Sequence, residues 1–306
     1  MQGMEYYLRF VARWPSVEDL AAASEDEVLR EWQGLGYYSR ARNLHRAAKQ
    51  IVENQESRVK NQEIGFPRTY EEIRALPGIG DYTAGAIASF AYNLPYPAMD
   101  GNVYRVVARL LDIDEPFDTT AGKKLFHQKI EELLDRVQPR LFNSAIMEFG
   151  ALQCTSTLGD KCNDCPLQEL CLGNQHNTAE LLPLRKPRPK LRDRWLNYHV
   201  YVMDNGESAD GRMVWTLIQR RENPKDIWQH LYEFPLKERN EAEATTLPHI
   251  DLTHVLSHQR LHARFIIEKV AELPEVEATI RVRWNELDDY AMSRLTLNAL
   301  ARISPL

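Results

Sequence analysis

The sequence predicts a mainly α-helical first half and an α+β second half, with a metal-binding loop and a basic linker between them. Three observations carry this. Apolar residues recur at helical spacing up to Gly150, whereas β-rich runs separated by turn signals begin at Leu196. All four cysteines of the 306-residue chain lie in one 18-residue window, Cys154-x7-Cys162-x2-Cys165-x5-Cys171. The chain is 43% hydrophobic and 27% charged, the composition of a globular protein of about two domains.

Val17–Trp32 carries Leu20, Val28, Leu29 and Trp32 at apolar positions, and Ser24 followed by Glu27 reads as a capping box. Gly34-Leu35-Gly36 marks a turn. The helix expected over Ser39–Val52 bears Arg40, Arg42, Arg46 and Lys49, which by spacing alone is a solvated face. Further helices are expected over Tyr70–Leu76, Ala84–Tyr92, Val103–Leu111, Gly122–Val137 and Leu141–Leu152, the last leading into the cysteines. Leu184–Arg194, with Arg185, Lys186, Arg188, Lys190, Arg192 and Arg194 against Asp193, reads as an extended linker whose charge could also lie along a duplex. Strands are expected over Tyr198–Met203 and Met213–Gln219, with a turn at Asn205-Gly206 between them. Leu231–Leu236 and His262–Val270 are further strands, and Asp288–Ile303 is a closing helix.

Four thiolates at this spacing can converge on one point. Their tenant is a [4Fe–4S] cluster or a structural Zn²⁺, against the plainer reading of four unrelated buried cysteines. Met1–Trp14 has no uninterrupted apolar core of a signal peptide, and no apolar run is long enough to span a bilayer. Cysteines kept for a metal fit a reducing compartment. The formal net charge of −6 means that any phosphate contact must come from local patches or backbone N–H groups.

Leu76-Pro77-Gly78-Ile79-Gly80-Asp81 offers such groups. Two glycines permit a tight turn with exposed backbone, and the helix after it presents free N–H groups that can grip a phosphate. Alone, the turn is equally an ordinary helix connection. Asp100, in Met99-Asp100-Gly101-Asn102-Val103-Tyr104, precedes a helix and alone would be a plain N-cap.

The order of hairpin, aspartate at a helix start and four-cysteine loop resembles the helix-hairpin-helix DNA glycosylases that carry an iron–sulfur cluster. Their branches are endonuclease III and the adenine DNA glycosylases of the MutY type. The endonuclease III branch has a lysine just after the hairpin that attacks the sugar; here that position is Tyr82, so no Schiff base can form there. Trp32-Gln33-Gly34-Leu35-Gly36-Tyr37-Tyr38-Ser39-Arg40-Ala41-Arg42 is similar to a MutY-type signature. The resemblance implies that Tyr37 wedges into the base stack, rather than being buried between helices, with Arg40 and Arg42 also DNA-binding. Leu217-Ile218-Gln219-Arg220-Arg221, Ile227-Trp228 and Leu231-Tyr232-Glu233-Phe234-Pro235 resemble the Nudix-like C-terminal domain of that family. The paired glutamates of a Nudix hydrolase are not evident, so no diphosphatase activity is expected. His254-Val255-Leu256-Ser257-His258 resembles the loop that reads 8-oxoguanine, through Ser257 and His258.

The resemblance implies a helix-hairpin-helix glycosylase domain over residues 1–152, a [4Fe–4S] loop over 153–175 on Cys154, Cys162, Cys165 and Cys171, a linker over 176–195 and a Nudix-like domain over 196–306. It also admits a monovalent cation at the hairpin. The implied activity is removal of adenine mispaired with 8-oxoguanine or guanine, without strand cleavage. Asp100 would stabilise positive charge on the sugar, Asn102 would orient the site and Tyr82 would line it, with Gly78 and Gly80 on the DNA backbone. The implied partner is double-stranded DNA carrying the mispair; a monomeric, non-membrane, cytoplasmic protein on a bacterial nucleoid is expected.

The chain departs from the family at two places. The family's protonating glutamate lies in a Glu-x-x-Leu-Gln-Gln-Thr stretch before the segment matching Met4–Phe10, and this chain begins at Met1-Gln2-Gly3. Glu5, Glu18 and Glu27 are not in that motif, so impaired activity is expected, with a non-catalytic iron–sulfur DNA-binding protein as the alternative. Seven residues rather than the family's usual six, Thr155–Lys161, separate the first two cysteines.

Overall fold

The computed structural model describes residues 2–57, 66–187, 190–208 and 211–304. Arg188 of the basic linker lies outside them. The chain divides into two units: residues 1–56 with 189–306, and residues 57–188.

The first segment holds α1 (Gln2–Arg13), α2 (Val17–Ala22), α3 (Glu25–Glu31) and α4 (Ser39–Ser57). The single helix expected over 17–32 is two helices because each has its own start signal. Ser16 caps α2, accepting from Asp19 N at 3.1 Å, and Ser24 caps α3, accepting from Glu27 N at 3.2 Å. Both capping boxes are complete, and Ala23 between them is extended. Leu20, Val28 and Leu29 are buried with Trp14, Tyr38 and Ala41, and with Leu231 and Ala291 from the second segment of the same unit.

Unit 57–188 contains α5 (Tyr70–Arg74), α6 (Asp81–Tyr92), α7 (Gly101–Leu110), α8 (Thr120–Leu133), α9 (Pro139–Leu152) and short α10 (Leu172–Gln175). Helix α6 begins one turn earlier than its apolar pattern because Gly80 is its N-cap, and α9 begins at Pro139, whose missing N–H costs nothing in a first turn. Helix α8 ends at Leu133, not Val137, because Leu134 is extended. In this unit Met99, Val103, Val107, Phe126 and Ile130 are buried together. A Cβ on Gly150 of α9 would stand 2.7 Å from Asn102 Cβ, so only glycine lets α9 lie this close to the start of α7.

The second segment of the other unit builds a seven-stranded sheet from β1 (Arg192–Ser208), β2 (Gly211–Arg220), β3 (Tyr232–Glu233), β4 (Leu236–Arg239), β5 (His249–Val255), β6 (Gln259–Lys269) and β7 (Thr279–Arg283), closed by α11 (Arg294–Leu300). The order is β3-β2-β1-β6-β5, with β4 pairing β1 and β7 pairing β2. Strands β1 and β6 run parallel from Arg192↔Gln259 to Val202↔Lys269. Leu196, Tyr198, Phe234, Phe265 and Leu295 are buried on this sheet.

Four expectations change here. Asn205-Gly206 is not a turn: β1 continues to Ser208, and Gly206 sits at positive φ where the register with β2 shifts. The linker ends before Arg192, so Arg192 and Arg194 belong to β1. The closing helix is confined to Arg294–Leu300, preceded by a 3₁₀ turn at Trp284–Asp289. His254 and Val255, expected in a loop, are the last residues of β5, leaving Leu256–His258 as the connection to β6. Among the described residues no helix is long and apolar enough to cross a membrane.

Candidate functional site

Asp100 is the N-cap of α7. Its Oδ1 accepts from Asn102 N at 2.8 Å and Val103 N at 2.9 Å, and its Oδ2 accepts from Asn102 Nδ2 at 2.8 Å. Capping therefore falls on one of the two oxygens. Oδ1 is used by the helix, and Oδ2 has a lone pair free after one bond. Asn102 is held in turn: Arg105 Nη2 donates to its Oδ1 at 2.8 Å, while Arg105 Nε donates to the Cys154 carbonyl at 2.7 Å. Arg105 was not legible as a site residue, because one arginine on an amphipathic helix has no distinguishing spacing. Burial lowers its pKa, opposed by the neighbouring thiol and carboxylate.

The hairpin joins α5 to α6. Gly78 has φ +77°, a left-handed conformation that favours glycine. Gly80 has an ordinary extended φ of −92°, and a Cβ there would meet nothing within 4 Å, so its surface is open to a ligand. No side chain caps α6, leaving its first-turn N–H groups available. Arg74 braces the turn, donating to Asp81 Oδ1 at 2.6 Å and the Ile79 carbonyl at 2.7 Å. A monovalent cation at this hairpin would have to share that carbonyl with the arginine's own positive charge. Tyr82, 43% exposed, stands in the first turn of α6.

All four cysteines are free and half-buried, and they line one cavity with Arg109, Phe149 and Leu167. Arg109 is buried and arranges the loop: Nη1 donates to Thr155 O at 2.7 Å and lies 3.4 Å from Cys154 Sγ, and Nε donates to Leu182 O at 3.0 Å. Burial and then the neighbouring thiols raise the pKa of Cys162; burial also raises that of Cys171. Among the described residues, no three His, Cys, Asp or Glu side chains are grouped so as to hold a metal ion. Four thiols lining one cavity are the donor set that a structural Zn²⁺ or a [4Fe–4S] cluster takes.

In the other unit, Tyr37 follows Gly36 and is itself at φ +49°, 73% exposed. A bulky residue in this region is strained, and the strain here projects an aromatic ring outward. Arg40 lies over the Tyr37 and Trp32 rings, 5.4 Å and 5.6 Å from their centroids. Arg42 has a structural task, since its Nη1 donates to Gln229 O at 2.7 Å. A cavity of about 530 Å³ brings Tyr37 and Arg42 together with Ser257 and His258, and adds Trp228 and Arg294, which sequence reasoning missed. Trp228 was legible only as part of the Nudix-like resemblance; here it sits at φ +57° and packs edge-on against His254.

Residues 3–136 match the family model "HhH-GPD superfamily base excision DNA repair protein", and residues 206–302 match "NUDIX domain". Adenine DNA glycosylase of Mus musculus is 40% identical over 198 residues, covering 63% of this chain and 36% of that protein. The adenine DNA glycosylase of Buchnera aphidicola subsp. Baizongia pistaciae (strain Bp) is 31% identical over 278 residues, covering 87% of this chain and 72% of that protein. The solved structure of a thermostable thymine-DNA glycosylase is 24% identical with a TM-score of 0.47, over 57% of this chain and 76% of that one. The chain thus spans about a third of the length of the mouse and rat relatives it matches. With the helical glycosylase domain and the Nudix-type domain both matched, and one relative aligned along most of its length, the chain belongs to the adenine DNA glycosylase family.

Proposed function

We propose that the protein hydrolyses the N-glycosidic bond of adenine mispaired with 8-oxoguanine or guanine in duplex DNA, without cutting the strand. The single observation that carries this is Asp100, whose Oδ2 is held by Asn102 and retains a free lone pair at a helix start. The adenine must first leave the stack. As it departs, positive charge grows on the sugar, and the Asp100 carboxylate is the group to stabilise it. Asn102 orients that carboxylate, and Tyr82 lines the approach without the amine that strand cleavage through a Schiff base requires. The hairpin backbone of Gly78 and Gly80 takes a phosphate, Tyr37 enters the stack, and Ser257 and His258 read the base opposite adenine.

Cys154, Cys162, Cys165 and Cys171 would hold a [4Fe–4S] cluster, which when bound supplies thiolate–iron cross-links and a redox-capable centre. Residues 1–306 contain no Glu-x-x-Leu-Gln-Gln-Thr stretch, the one in which the resemblance puts the acid that protonates adenine. We therefore propose slow turnover by these residues alone, since general acid catalysis contributes about 10²–10⁴-fold. Single-turnover adenine release should be measured for residues 1–306 and for the same residues preceded by that stretch. The extended chain should release adenine rapidly and lose this with Asp100→Asn. No release by either, despite duplex binding, would favour a non-catalytic DNA-binding protein.

A further inference from the structure

Ser257 and His258 are exposed, but the next residue is not: Gln259 is 6% exposed at the start of β6. Its side chain spans two partners. Arg194 Nη1 donates to Gln259 Oε1 at 3.2 Å, and Gln259 Nε2 lies 2.7 Å from His258 Nε2. His258 Nδ1 stands 3.3 Å from Ser257 Oγ, and both residues line the 530 Å³ cavity.

The polarity of this row follows from its buried end. A guanidinium only donates, so it must face the amide oxygen of Gln259, which aims the amide N–H groups at His258. His258 Nε2 must then accept, and the neutral imidazole carries its proton on Nδ1. That N–H donates to Ser257 Oγ, leaving the serine hydrogen to point away from the ring. Arg194 is firmly anchored. Asp226 accepts from both of its terminal nitrogens, at 2.6 Å and 3.0 Å, and Glu238 accepts from one. Asp226 also takes Ile227 N at 2.7 Å and the buried Arg221, which is itself paired with Glu233.

We infer that Gln259 is a positioning residue: held by Arg194, it sets the tautomer of His258 so that Ser257 presents a hydrogen-bond donor to the base in the cavity. This rests on the reading of Ser257 and His258 as the pair that contacts the base opposite adenine. A donor there suits an acceptor on a purine's Hoogsteen edge, either the C8 carbonyl of 8-oxoguanine or the N7 lone pair of guanine. Both bases opposite adenine are then admitted. With the row reversed, Ser257 would offer only lone pairs. The N7–H of 8-oxoguanine could still donate to them, whereas guanine N7 would be repelled.

Gln259→Glu tests this, because a carboxylate can keep Arg194 yet only accept from His258, moving the imidazole proton to Nε2. The full chain, labelled with ¹⁵N-histidine, is examined by NMR at about pH 9, where imidazole is neutral, with His258→Ala for assignment. The expected result is a proton on Nδ1 in the wild type and on Nε2 in Gln259→Glu. Gln259→Leu, which removes the contact without adding charge, should show mixed tautomers. A wild-type His258 protonated on Nε2, or one tautomer unchanged across all three proteins, overturns the inference. Duplex binding supplies the second readout. Gln259→Glu should weaken binding to guanine opposite adenine about tenfold more than to 8-oxoguanine opposite adenine, the worth of one hydrogen bond. Equal weakening overturns the link to base reading, even with the tautomer switched. Ser257→Ala separates the two claims: an unchanged 8-oxoguanine-to-guanine ratio there refutes the base-reading assignment, while the NMR result still decides the tautomer.

Discussion

Arg105 bonds directly to the backbone of Cys154, its Nε donating to the cysteine carbonyl at 2.7 Å while its Nη2 donates to the side chain of Asn102. One guanidinium therefore connects the cysteine loop to the residue that orients Asp100. Helix α7 makes this possible, with Asp100 at its cap, Arg105 in its middle and Arg109 near its end.

Arg105→Met should be destabilised and should also lower adenine release in a turnover-competent chain. It leaves three half-buried acceptors, on Asn102, Gly150 and Cys154, without their donor. At about 1–3 kcal/mol per unsatisfied group, tempered by water, a loss of about 2–4 kcal/mol is expected in urea unfolding. Arg105→Lys should recover little, because lysine lacks the planar fork that serves two directions. Full stability in Arg105→Met would show that the bridge is incidental.

The cysteine loop should carry iron. Protein purified without oxygen should be brown, with iron and sulfide in equal amounts, and Cys165→Ala should lose both together. A colourless protein holding one zinc would reverse this assignment.

The two hairpin glycines should separate by mechanism. Gly78→Ala strains a left-handed backbone and should cost about 1–2 kcal/mol of stability as well as DNA affinity. Gly80→Ala meets open space and no strain, so it should weaken DNA binding at unchanged stability. Either loss should be the same for matched and mispaired duplexes, since phosphate contacts carry no sequence information. The check is chemical unfolding beside equilibrium binding for each variant.

Acid should loosen the sheet unit through Asp226. Burial pushes this carboxyl up, but hydrogen bonds from Arg194 and Ile227 and the charges of Arg221 and Arg194 outweigh it, holding the pKa at about 2 against 3.8. A folded value below the unfolded one gives stability that is full above about pH 4 and is lost as pH falls toward 2. Asp226→Asn should be less stable at neutral pH and should show a shallower decline across that window. Parallel stability–pH curves for the two proteins would contradict this.

Much of the helical half was legible because its signals are local. Ser24 with Glu27, Gly78, and Asp100 followed by a helix each depend on residues within one turn, so sequence spacing carries them. The cysteine window is equally local. The sheet was less legible: β5 and β7 were missed, and Asn205-Gly206 was misread, because pairing β1 with β6 joins residues such as Arg192 and Gln259 that no short window contains.

By itself the sequence determined the element types of the first half, the four-cysteine loop, and a tyrosine, Tyr82, just after the hairpin. Only the tertiary structure decided that residues 1–56 pack with the C-terminal sheet, that Arg42 bonds Gln229, and that Tyr37 shares a cavity with Ser257. The same holds for Arg105, Arg109, Arg194 and Gln259. Their side chains are long and each has a partner 45 or more residues away, so what each one does is set by which partner the folded chain brings within 3 Å or so.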